Sequence, residues 1–192
     1  MRGTALLPAH RPEFLAADAL LLDGRSGSGK TALAAELTAA LKAAGRAPQL
    51  LPVEDLYPGW DGLAAGSGSV AAALAAGEYR RYDWVAGRFA ETVRLDPERP
   101  LLIEGCGALT AANLAAARAW AERAAAGHGR GPLGDVLGIW IEAPAELRKR
   151  RALARDGEMY APHWDRWAAQ EDTLYAAERP WLLADRVLTA GR

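Results

Sequence analysis

Three groups of residues have types and spacing suited to chemistry. The first is the octapeptide Gly24-Arg25-Ser26-Gly27-Ser28-Gly29-Lys30-Thr31. It fits G-x-x-x-x-G-K-[ST], in which glycines let successive backbone N–H groups form a concave nest for phosphate oxygens. Lys30 adds a full charge for the outer phosphates, and the Thr31 hydroxyl is placed to ligate Mg²⁺. Lys30 is one of only three lysines against twenty arginines, so its presence here is not compositional background. These residues predict binding of a nucleoside triphosphate.

The second group is acidic. Val53-Glu54-Asp55-Leu56-Tyr57 follows an apolar segment, and Ile103-Glu104-Gly105 ends another. In open α/β sheets, ligands bind beyond the carboxyl ends of the strands. Glu54 or Asp55 is therefore a candidate to accept a proton from a substrate hydroxyl, and the pair is also a candidate to hold Mg²⁺. Glu104 is a candidate to support Mg²⁺ through water. Cys106, between Gly105 and Gly107, reads as a small packing residue with no basic partner apparent in the sequence.

The third group is cationic. Arg148, Arg151 and Arg155 fall at i, i+3 and i+7 and so share one stripe of a helix. They lead into Asp156-Gly157-Glu158, a segment suited to a lid. Guanidinium groups on such a lid neutralise a transferring phosphoryl group. Aromatic residues Tyr57, Trp60, Tyr79, Tyr82 and Trp84 flank the expected acceptor side, and Tyr82-Asp83-Trp84 combines stacking surfaces with a hydrogen-bond acceptor.

The elements that position these groups alternate. Apolar runs predict strands over 19–23, 48–53, 101–104, 136–141 and 186–188. Helical patterns cover 30–44, 70–76, 111–126, 144 to about 156, and 164–177. The Gly/Ser-rich stretch 61–69 predicts a loop, 79–84 an extended segment or one leading into a helix through Val93, and 127–134 a flexible link. Strand–helix alternation implies a parallel sheet with helices on both faces, within one domain over 1–192.

Composition excludes some classes. The net charge of −1 offers no bulk attraction for nucleic acid or an acidic membrane surface. No apolar run approaches a membrane span, and the first 17 residues lack the apolar core of a signal peptide. A lone cysteine is compatible with a reducing cytoplasm. Seven tryptophans leave room for a homo-oligomer surface without locating one.

Taken together, Asp23 to Thr31, Glu54-Asp55-Leu56-Tyr57, Tyr82-Asp83-Trp84, the 101–105 strand and the 148–155 helix resemble the P-loop kinases of the uridine kinase and nucleoside kinase type. The stretch Glu54-Asp55-Leu56-Tyr57-Pro58-Gly59-Trp60-Asp61-Gly62-Leu63 is similar to a segment of bacterial uridine-kinase-like proteins. The resemblance implies a three-layer P-loop NTPase fold with a five-stranded parallel sheet and a short lid over about 148–165. It also implies Mg-ATP as donor and, as acceptor, a hydroxyl of a small nucleoside-like molecule. The family's base, an acid three residues before the tyrosine, falls on Glu54, and its base-pocket aromatics fall on Tyr82 and Trp84. Where uridine kinases tend to carry a His shortly after that segment, this chain has Val85-Ala86-Gly87-Arg88. A nucleoside-monophosphate or small-metabolite kinase would draw on Arg80, Arg81 and Arg88 for the acceptor's charge. A nucleotide-binding regulatory protein without phosphotransfer is the other alternative.

Overall fold

A computed structural model describes residues 8–128 and 135–189. The chain runs α1 (Pro12–Ala16), β1 (Ala19–Asp23), α2 (Lys30–Ala43), β2 (Gln49–Pro52), α3 (Leu63–Ala76), β3 (Glu78–Asp83) and β4 (Arg88–Arg94). It continues through β5 (Leu101–Glu104), α4 (Ala111–His128), β6 (Val136–Glu142), α5 (Ala145–Tyr160), α6 (Trp164–Glu178), α7 (Pro180–Leu183) and β7 (Arg186–Thr189).

All five expected strands join one sheet in the order β2-β5-β1-β6-β7, and every pairing is parallel. The non-alternating sequence of β1 has a direct cause. Ala19 and Leu21 pack into the core under α3 and α4, while Leu20 and Leu22 pack into the core with α1 and α2. Leu102 of β5 likewise faces the α2 side, and Leu101 and Ile103 face the other. A central strand covered on both faces needs apolar residues at both parities.

Two expectations require correction. The stretch 61–69 is not a loop, because α3 begins at Leu63. Leu63, Gly66, Ser67, Val70, Ala73 and Leu74 form its buried stripe, and a Cβ on Gly66 would collide with the Tyr57 ring. Ser67 donates its hydroxyl to the Gly107 carbonyl at 2.7 Å. The small polar residues that read as loop are thus the close-packing face of a helix. The second concerns 79–93: the extended alternative for 79–84 holds as β3, and no helix follows it, the segment forming an antiparallel hairpin, β3–β4, separate from the main sheet.

The remaining helices lie near their expected places. α4 continues through His128, and the rest of the expected link, 129–134, lies outside the described residues. α5 extends to Tyr160, but its helical geometry breaks at Gly157 (φ 55°, ψ −134°), directly after the expected end. No described helix is long and apolar enough to cross a membrane.

Candidate functional site

The loop between β1 and α2 lies at the centre of the sheet's carboxyl edge. It is anchored from below by Asp23, which is fully buried. The Asp23 carboxylate accepts hydrogen bonds from the Gly24, Gly107 and Leu109 N–H groups and from the Tyr175 hydroxyl, at 2.6–3.1 Å. Burial pushes its carboxyl up to about 6, against the pull of those donors and of Lys30. Gly27 adopts φ 77°, and a Cβ there would collide with the Arg148 carbonyl oxygen at the root of α5. Gly29 caps α2 without any side-chain hydrogen bond, so the first-turn N–H groups have no side-chain cap.

Lys30 lies over this loop. Its ammonium donates to the Gly24 carbonyl at 2.8 Å, to that of Arg25 at 3.2 Å and to Cys106 Sγ at 3.4 Å. Cys106 thus has a basic neighbour that its sequence context did not reveal. Its thiol is nevertheless pushed up to about 12, because burial outweighs the nearby ammonium, so it is not a thiolate nucleophile. Thr31 donates its hydroxyl to Glu104 Oε1 at 3.0 Å. A hydroxyl beside a carboxylate at the phosphate end suits Mg²⁺, which keeps several waters and takes few protein ligands.

These groups line a cavity of about 610 Å³, which is also walled by Glu54, Tyr57, Trp60, Trp84, Tyr160 and Trp167. Trp60 is stacked against two neighbours, with its ring centroid 4.3 Å from His163 and 5.4 Å from Tyr160. Trp84 meets Trp60 at 4.9 Å, and Tyr57 meets Trp167 edge-on at 5.0 Å. The buried Tyr57 hydroxyl donates to the Cys106 carbonyl at 2.7 Å.

The structure separates the expected acceptor-side residues. Glu54 lines the cavity, and burial together with the negative charge of Glu104 raises its pKa, with Arg155 opposing. Asp55 does not line it, and accepts the Tyr79 hydroxyl at 3.0 Å instead. Both acids belong to a 3₁₀ turn, Val53–Leu56, in which successive side chains diverge by about a third of a turn. Tyr82 packs edge-on against Trp84 and Phe89 without lining the cavity. Asp83 is a turn residue, accepting the Val85 and Ala86 N–H groups at 2.9 Å. Trp84 alone of the 82–84 triplet reaches the cavity.

The arginine stripe is divided too. Arg148 donates to the Ala143 carbonyl and to the Ser26 carbonyl of the loop, at 3.2 and 3.4 Å. Arg155 lines the cavity and is paired through two hydrogen bonds with Asp156. Arg151 is exposed and does not line it. Sequence reasoning missed α6 altogether as a site element. Trp167, Glu171 and Tyr175 recur every four residues, all buried, and meet the cavity wall, the phosphate loop and Asp23 in turn. The available signal was an acid inside an otherwise aromatic helical stripe.

The fold is similar to that of solved structures. One from Bacillus stearothermophilus, described as a possible uridine kinase, superposes with a TM-score of 0.53 at 18% identity, covering 88% of this chain and 87% of that one. One provisionally named a fructose transport system kinase, from Silicibacter sp. TM1040, gives 0.50 at 21% identity over 94% and 92%. This chain has the fold of the P-loop kinases. No family model matches the chain. No curated protein matches it either.

Proposed function

We propose that this protein transfers the γ-phosphate of Mg-ATP to a hydroxyl of a small uncharged acceptor with a flat ring, such as a nucleoside. The observation that carries this reading is the shared cavity: Glu54 and the aromatic walls face the same space as Lys30 and Thr31. In this reading the loop 24–31 and Lys30 hold the phosphates. Thr31 and Glu104 hold Mg²⁺, which when bound would offset charge on the phosphates. Glu54 orients the acceptor hydroxyl and takes its proton, a role suited to a carboxylate whose pKa is raised. The acceptor ring lies among Trp60, Trp84 and Tyr57. Arg155, with Arg148 at the loop and Arg151 on the same helix, closes the phosphate end as the lid over 148–165. Because phosphoryl transfer passes through a loose transition state, these groups act chiefly by positioning and charge neutralisation.

The uncharged acceptor follows from where the hairpin arginines are used. Arg80 donates to the Phe89 and Ala90 carbonyls, Arg81 pairs with Glu91, and neither these nor Arg88 lines the cavity. An acceptor bearing its own phosphate would meet Glu54 and aromatic rings, with Arg155 and Lys30 the cations among the described lining residues and Lys30 engaged with the loop carbonyls. Incubation with Mg-ATP and a panel of nucleosides, nucleoside monophosphates and small alcohols, with phosphorylated products identified by mass, tests the reading. Products are expected from the uncharged members. Products from monophosphates alone would contradict the acceptor assignment, and Lys30→Ala should yield none.

A further inference from the structure

The carboxylate of Glu171 is only 1% exposed, yet it belongs to none of the groups that face the cavity. Its contacts are all with the machinery. Oε1 accepts the Ser26 backbone N–H at 2.7 Å and the Cys106 thiol at 3.3 Å. Oε2 lies 3.8 Å from Arg25 Nη1 and 3.8 Å from Arg148 Nη1. Arg148 in turn holds the Ser26 carbonyl, and Arg25 also pairs with Asp172 at 2.6 Å. One buried acid therefore joins α6, the first half of the phosphate loop and the root of the lid helix.

A buried carboxylate is costly unless paired and hydrogen-bonded, and its loss leaves Arg25 with Asp172 and takes from Arg148 the carboxylate beside it. Two arginines close to the phosphate loop would repel each other without an anion between them. The Ser26 N–H would also be free to turn, and with it the peptide between Arg25 and Ser26. Glu171 does not itself line the cavity, but both of its hydrogen-bond partners, Ser26 and Cys106, do.

We propose that Glu171 is a positioning residue for nucleotide binding, fixing the Ser26 peptide and the guanidinium groups of Arg25 and Arg148 in the geometry that receives the phosphates. The inference rests on the nucleotide-binding half of the proposed function and not on the acceptor. Glu171→Gln keeps the shape and an acceptor for the Ser26 N–H but removes the charge, and Glu171→Ala removes both. Equilibrium titration with Mg-ATP, without acceptor, is the test, alongside thermal melting of each variant. Glu171→Gln should weaken ATP about 3- to 30-fold while remaining folded, and Glu171→Ala should weaken it further. ATP affinity for Glu171→Gln within twofold of the unaltered protein would overturn the proposal, whatever its melting temperature, by assigning Glu171 to stability alone. Should Glu171→Ala fail to fold, Glu171→Gln decides. A protein that binds ATP with this pattern but phosphorylates nothing would sink the kinase reading and leave Glu171 in place.

Discussion

The Tyr79 hydroxyl donates to the Asp55 carboxylate at 3.0 Å, and this bond sets the two adjacent acids in different surroundings. It ties the 3₁₀ turn to the hairpin and leaves Glu54 as the member of the pair that lines the cavity. Asp55→Asn and Tyr79→Phe should each keep turnover within about threefold and lose about 1 kcal/mol of stability, the typical worth of one such hydrogen bond. Steady-state rates and denaturant titration check both. A large rate loss in Asp55→Asn with stability intact would return the base assignment to Asp55.

A pH profile follows from the burial of Glu54. Burial and the charge of Glu104 raise its pKa from the ordinary 4.5, and only the deprotonated form can take a proton. Activity should therefore fall as pH drops through a value above 4.5, not at it. The acid limb of kcat/KM locates this value. Since Arg155 opposes the shift, Arg155→Met should move the limb further up. An acid limb at or below 4.5 would contradict the role of Glu54.

The close approach of the phosphate loop to α5 is open to direct challenge. Gly27→Ala combines a left-handed backbone with a collision against the Arg148 carbonyl. It should weaken ATP binding at least tenfold, the strain at such positions being of order 1–3 kcal/mol. Calorimetric titration with ATP measures this. Unchanged affinity would mean that the loop and the lid root are not packed as described.

The acceptor wall gives a different signature. Trp60 lies stacked against His163 and Tyr160 and faces the cavity. Trp60→Ala should raise the acceptor KM by about tenfold or more, as loss of a stacking partner and its area predicts, and leave the ATP KM nearly unchanged. Equal effects on both substrates would place the aromatic wall outside the acceptor site.

Much of this was legible before any coordinates. The five strands announced themselves as short apolar runs because the sheet is covered on both faces, and the glycine-rich stretch 24–31 as the connection between the first of them and a helix. What stayed hidden was decided by packing. Gly66 and Ser67 look like loop residues until the Tyr57 ring and the Gly107 carbonyl are seen against them. Asp83 looks like a ligand-binding acid until it caps the hairpin turn. Glu54 and Asp55 are equivalent on paper, and only the turn of the backbone between them separates the cavity from Tyr79. Glu171 carried a signal in its four-residue spacing with Trp167 and Tyr175, but its partners come from loops about 145 and 65 residues away in sequence.

The most direct test of the central claim is ADP release at saturating Mg-ATP, with and without nucleoside acceptors, in the unaltered protein and in Glu54→Gln. The account predicts that an uncharged acceptor stimulates ADP release, and that Glu54→Gln lowers the stimulated rate by about 10²- to 10⁴-fold with ATP affinity nearly intact. No stimulation by any acceptor, or a full stimulated rate in Glu54→Gln, would contradict it.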